Sequence, residues 1–322
     1  MDLVLSLLKN DLQAVEKQFC KDLESQVSLI RKVGEYVLAS GGKRIRPMLV
    51  LLSAKMAGYK GQDHIGIASV VEFIHTATLL HDDVVDSAIL RRGQESANAV
   101  WGNEASVLVG DFLFAKSFSI MVRGGNLKVL KALSDATTIM AEGEVQQLIN
   151  TYDLELTEEA YIDVVCNKTA VLLSAASRCG ALLGGISDAD EEALAAYGMD
   201  IGIAFQFMDD SLDYVANQAD FGKARGHDLM EGKVTLPLIY ALRRCSSAER
   251  LRVEAIVEQD QLPQKDLDYV IELIERYDGI TYTRLRAESF ITKAKSHLLH
   301  FEDNAAKQAL LDLADYVVSR NK

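Results

Sequence analysis

Only three prolines, Pro47, Pro237 and Pro263, punctuate these 322 residues, so little in the chain stops a helix. Proline removes a backbone donor and clashes with the turn before it, and its scarcity leaves long helices uninterrupted. Apolar residues recur at three- and four-residue spacing over nearly the whole length, while two-residue alternation is scarce. The pattern predicts an all-α chain with no sheet, folded as one domain over residues 1–322. At 49% hydrophobic residues it can fill a large core.

Leu12, Val15, Phe19, Leu23, Val27, Ile30 and Val33 predict one amphipathic first helix. Gly41-Gly42-Lys43-Arg44-Ile45-Arg46-Pro47 breaks it, and Pro47 suits the first turn of the next helix. Gly58 to Gly61 precedes a long helix expected to end near Arg91-Arg92-Gly93. Gly124-Gly125-Asn126 closes the following stretch, and helices are expected over Leu127 to Ile149 and Thr157 to Leu183. Ser187-x-x-Asp190 resembles a capping box, Gly222 to Gly232 reads as a loop, and Pro237 and Ser246-x-x-Glu249 are expected to start two more helices.

Two of these helices carry the same acidic signature. Asp82-Asp83-x-x-Asp86 recurs as Asp209-Asp210-x-x-Asp213, each flanked by apolar residues such as Ile74, Val84, Phe205 and Leu212. At 100° per residue the first and last carboxylates share a helix face a turn apart, with the middle one beside them, so three like charges crowd one turn. Like charges roughly 5 Å apart repel by about 3 kcal/mol at an effective dielectric of 20. Crowding them twice inside apolar helices calls for a cation, and all-oxygen donors favour Mg²⁺ over Zn²⁺. Since Mg²⁺ commonly bridges carboxylates to phosphates, the expected ligand is a phosphate ester.

Net charge is −13, from 34 Lys and Arg against 47 Asp and Glu, which speaks against a general nucleic-acid surface. Phosphate binding must come from local cations: Lys43, Arg46, Arg91, Arg92, Lys168, Lys223 and Lys233, which flank glycines and polar breaks or interrupt an apolar helix. Cys20, Cys166, Cys179 and Cys245 form no C-x-x-C pair and read as reduced core residues of a cytoplasmic protein. The longest apolar stretch, Ile65 to Val85, is interrupted by Glu72, His75, His81 and two aspartates, so no transmembrane segment is expected.

Taken together, Gly41 to Pro47, His75, the first triplet with Arg91-Arg92-Gly93, Lys168-Thr169, Phe205-Gln206 with the second triplet, and Gly222-Lys223 with Asp228 to Lys233 resemble the trans-isoprenyl diphosphate synthase (polyprenyl synthetase) family. The likeness runs nearly end to end and is strongest to its bacterial octaprenyl diphosphate synthases. It implies antiparallel helices around a deep central cavity, the isoprenoid synthase fold, and usually a homodimer. It further implies that Asp82, Asp83, Asp86, Asp209, Asp210 and Asp213 hold Mg²⁺ on an allylic diphosphate gripped by Arg91, Lys168, Thr169, Gln206, Lys223 and Lys233. Lys43, Arg46, His75 and Arg92 would then hold isopentenyl diphosphate. Asp82, Asp83, Asp86, Arg91, Lys168, Asp209 and Lys223 carry the catalytic assignment.

In this family bulky side chains near Ala77 form a floor under the growing tail. Ala77 and Thr78 are small, so the tunnel is expected to continue toward Phe73, Phe118 or Met121 and the product to be long, near octaprenyl. Two departures stand out: Ile89 replaces an acid common in close relatives, and His227 replaces an Asp before Asp228. A shorter-chain synthase or a non-catalytic prenyl-diphosphate-binding subunit is the alternative, although intact triplets argue against the latter. A di-iron bundle would want two Glu-x-x-His pairs, and only Glu72-x-x-His75 occurs.

Overall fold

The computed structural model describes residues 1–215, 225–259 and 262–320. They form helices α1 (Asp2–Asp22), α2 (Ser28–Ala39), α3 (Ile45–Met56), α4 (Asp63–Val85), α5 (Ala97–Trp101), α6 (Asn103–Gly124) and α7 (Leu127–Ile149). There follow α8 (Glu158–Val165), a π-turn (Cys166–Ala170), α9 (Val171–Gly184), α10 (Asp188–Asp213), α11 (His227–Met230) and α12 (Leu236–Leu242). The last four are α13 (Ser247–Val257), α14 (Gln264–Arg276), α15 (Gly279–Ser296) and α16 (Ala305–Ser319). The all-helical expectation holds, and Ser246 with Glu249 forms the full capping box that opens α13.

Four local expectations are corrected. The stretch Gly222 to Gly232, expected as a loop, carries α11 in its described part. The single first helix is two, because Ser25 turns its hydroxyl to accept the Val27 amide at 3.1 Å and the chain runs extended at Val27. The triplet helix stops at Val85, short of the arginines. A two-stranded hairpin, β1 (Leu90–Arg91) and β2 (Gln94–Glu95), follows where no sheet was expected. Its turn, Arg92-Gly93, has φ of 53° and 78°, a left-handed pair that helical periodicity does not reveal.

The chain divides into two compact units. The first comprises Met1–Thr137, Leu172–Gly198 and His297–Leu313. There α4 packs along α6, α3 and α1, around a cluster containing Phe19, Phe73, Ala77, Leu80, Val109 and Leu113. The Phe19 and Phe73 rings lie 4.3 Å apart. The second unit comprises Thr138–Val171, Met199–Ser296 and Ala314–Lys322, with α12 packed on α14 and α15. Of the four cysteines, expected as core, only Cys179 is buried, while Cys20 is exposed; all four are free thiols. Among the described residues α6 alone is long and apolar enough to cross a membrane, and it packs along α4.

Candidate active site

In the first unit the end of α4 brings together most of the residues that its motifs single out. Asp83 is buried and accepts a hydrogen bond from Arg91 Nε at 2.5 Å, while Asp82 and Asp86 remain partly accessible. Helical geometry separates the middle carboxylate by 100° from the first, while its neighbours four apart share a face, and the packing of α4 turns the Asp83 side inward. Asp86 itself caps α4 instead of lying inside it. Arg92 donates to the Gly41 carbonyl, so the hairpin turn lies against the Gly41-Gly42 loop. Gly42 has a φ of 144°, a backbone conformation that favours glycine, and the Arg92 guanidinium lies close against it.

Arg44 fixes that loop from below. It has a left-handed φ of 51°, donates to buried Glu72 and reaches the Leu38 carbonyl at 3.0 Å. Lys43 and Arg46 on either side are thereby placed, and Arg46 Nη1 donates to His75 Nε2 at 3.1 Å. Burial and then the nearby Arg46, Arg92, Arg91 and Arg44 hold His75 well below its ordinary pKa, so its ring is a neutral acceptor. Arg46 and His75 are thus in direct contact, and Arg92 holds the Gly41 carbonyl two residues before Lys43. Ala77 is fully buried in the core cluster beside Phe73, and Thr78 donates to the His75 carbonyl at 2.7 Å. Phe118 is half-buried on α6, and Met121 lines a cavity of about 490 Å³ with Ile67, Leu127 and Leu183.

The second unit repeats the arrangement of a buried middle aspartate. Asp210 is fully buried, accepts from the Tyr161 hydroxyl, and accepts from Gln206 Nε2 at 2.9 Å. Burial, then the neighbouring charge of Asp228, pushes its pKa well above the usual carboxylate range, and Tyr161 is pushed up likewise, chiefly by burial. Asp209 and Asp213 stay partly accessible. Gln206 Oε1 accepts from Thr169 Oγ1 at 3.2 Å, so one run of hydrogen bonds joins the Lys168-Thr169 pair to the second triplet.

Lys168 and Thr169 lie on the π-turn, a geometry that recurs at functional sites. α7 crosses it closely: a Cβ on Gly143 would lie 2.6 Å from the Lys168 backbone nitrogen. Gly143→Ala should therefore destabilise, because pressing on backbone costs about 1–3 kcal/mol against a helix-propensity gain of about 1 kcal/mol. Gly66→Ala, with open space around the new methyl, should raise the melting temperature instead, and thermal melts of both variants test the pair.

Farther along, the Asp228 amide donates to Asp213 Oδ2 at 3.2 Å. His227 lies 3.0 Å from Glu231, and Lys233 donates to the same carboxylate at 2.8 Å. Burial alone would raise the Glu231 pKa; the His227 hydrogen bond and Lys233 together outweigh it and leave it at about 2. Ile89 is exposed. Lys223 falls outside the described residues.

Three contributors escaped the sequence reading. Tyr161 carries no motif, and Glu144, 2.6 Å from Lys168, hides on an ordinary helix face. The glycine beside it was the available signal, since a glycine inside a helix commonly marks a close approach. Arg320, almost fully buried, sits 2.7 Å from Asp209, stacks 3.9 Å over Phe205 and donates to the Phe205 carbonyl at 2.6 Å. Its Nη1 contact with Asp209 is a charge pair without hydrogen-bond alignment.

The donors offered to an ion are carboxylate pairs, Asp82 with Asp86 and Asp209 with Asp213. Among the described residues no three His, Cys, Asp or Glu side chains form a ready-made metal group. An oxygen-only pair fits a hard divalent ion that completes its shell with water and phosphate.

The polyprenyl synthetase family model matches residues 27–274. Octaprenyl diphosphate synthase of Escherichia coli is 42% identical over 322 residues, covering 100% of this chain and 99% of the relative. A solved polyprenyl synthase from Caulobacter crescentus, complexed with calcium and isoprenyl diphosphate, superposes with a TM-score of 0.95 at 40% identity, covering 100% of this chain and 98% of that one. A decaprenyl diphosphate synthase from Rhodobacter capsulatus gives 0.94 at 42% identity, with 100% and 99% covered. The chain belongs to the polyprenyl synthetase family, has the isoprenoid synthase fold, and is a prenyltransferase that elongates prenyl chains.

Proposed function

We propose that residues 1–322 form one catalytic domain that extends farnesyl diphosphate by successive trans condensations with isopentenyl diphosphate, giving a product near octaprenyl. The observation that carries the site assignment is the repeated triplet: each presents its outer carboxylates, internalises the middle one, and has a cationic set nearby. Of the six aspartates expected as Mg²⁺ ligands, Asp82, Asp86, Asp209 and Asp213 would hold the ion, which when bound neutralises and orients the allylic diphosphate. Asp83 and Asp210 are buried and already engaged, by Arg91 and by Tyr161 with Gln206, and are assigned a supporting place instead. Arg91, Lys168 and Lys233, with Lys223, grip the same diphosphate and stabilise the negative charge that develops as it leaves. Thr169 and Gln206 present polar atoms to the electron-poor allylic carbon, and apolar walls exclude water that would quench it. Lys43, Arg46, His75 and Arg92 hold isopentenyl diphosphate so that its alkene attacks that carbon; proton loss, with the departed diphosphate as base, restores an allylic diphosphate.

Localisation is assigned to the cytoplasm, the assembly to a homodimer and the use of the product to ubiquinone side chains, with hand-over at a membrane.

The two arginines separate the substrates. Arg92→Ala should chiefly raise the KM for isopentenyl diphosphate, about tenfold or more for loss of one charged contact, whereas Arg91→Ala should chiefly impair use of the allylic substrate. Steady-state kinetics with each substrate varied in turn check this, and equal effects on both would refute the division. Arg→Lys at either position should rescue only in part, because the planar fork is lost.

A further inference from the structure

Successive residues of α7 meet the π-turn in different ways. Gly143 meets its backbone, leaving no room for a side chain beside Lys168 N and the Asn167 carbonyl carbon. Glu144 meets its side chain, with Oε2 2.6 Å from Lys168 Nζ. Both members of the pair are mostly buried, at 20% exposure for Lys168 and 30% for Glu144. A lysine is a point charge on a flexible stem, and a backbone turn alone does not fix where its ammonium sits. The carboxylate does so here.

We propose that Glu144 is a positioning residue for Lys168, holding the ammonium in place for the allylic diphosphate; this rests on Lys168 gripping that diphosphate. The contact has two opposing consequences. It orders the lysine for the departure of the leaving group, and it partly neutralises the charge that attracts the incoming diphosphate. A residue that merely supports the fold would show neither, and one that merely neutralises charge would show only the second.

A double-mutant cycle on the full chain, with inorganic diphosphate and Mg²⁺ as the calorimetric probe and farnesyl plus isopentenyl diphosphate for turnover, tests this. Glu144→Gln should bind inorganic diphosphate about fivefold tighter, the scale of one partly exposed ion pair, while its kcat falls about tenfold, the scale of a modest misplacement. Once Lys168→Met is in place, adding Glu144→Gln should change neither quantity by more than about twofold. Should Glu144→Gln melt early, Glu144→Asp replaces it: the charge stays but sits farther back, so kcat falls with diphosphate affinity unchanged. Weaker diphosphate binding in Glu144→Gln, unchanged turnover, or effects that persist without Lys168 would overturn the assignment. Wild-type protein that fails to bind diphosphate with Mg²⁺ would instead overturn the underlying reading of the site, whereas wild-type binding without coupling overturns the positioning role alone.

Discussion

Replacing Asp82 or Asp86 by alanine should lower turnover by about two to three orders of magnitude, the scale on which loss of one electrostatic group acts, while the protein stays folded. Both carboxylates are partly accessible and close a helix end where like charges repel. Removing one from the metal-free protein relieves that repulsion, so the melting temperature should hold or rise. Asp83→Ala should behave in the opposite way. That side chain is buried and pairs with Arg91, so its loss strands a cation and the melting temperature should fall. Thermal melts of the three variants without metal, beside their turnover, check the contrast; a large drop for Asp82→Ala would count against its role as a ligand. Mg²⁺ and inorganic diphosphate together should raise the wild-type melting temperature, as native-state ligands do.

Ala77→Phe should leave the first condensations intact and cut the product short. Ala77 lies five residues before Asp82, about 7.5 Å along the helix at 1.5 Å per residue, and it is fully buried beside Phe73, Leu80 and Leu113. A phenyl ring there would meet a descending tail early, truncating the product to roughly three or four isoprene units on that axial distance. It would also press on the cluster, at an overpacking cost of about 1–3 kcal/mol. Product sizing and a melt separate the two effects. A folded, active Ala77→Phe enzyme with unchanged product length would refute the floor reading.

Much of the architecture was legible because helical periodicity and glycine breaks are local signals. The bounds of α7 and the caps at Ser187 and Ser246 follow from a few neighbouring residues. The hairpin at Arg92-Gly93 was hidden because left-handed backbone at a non-glycine residue has no apolar signature. Within the triplets, the 100° step already separates the middle aspartate from its neighbours, but which face turns inward depends on packing. Arg320 illustrates what a single sequence withholds: its contact with Asp209 joins residues more than a hundred positions apart. The π-turn left only the polar interruption of Lys168-Thr169 within an apolar run, which marks a site without revealing its backbone.

The most direct test is to incubate the purified protein with Mg²⁺, farnesyl diphosphate and radiolabelled isopentenyl diphosphate, and then to size the products. The account predicts a ladder of elongated chains that ends near octaprenyl and vanishes when the metal is chelated. Label that stays in isopentenyl diphosphate would contradict the proposed elongation of farnesyl diphosphate, and a ladder that stops at geranylgeranyl diphosphate would contradict the proposed passage of the tail beyond Ala77.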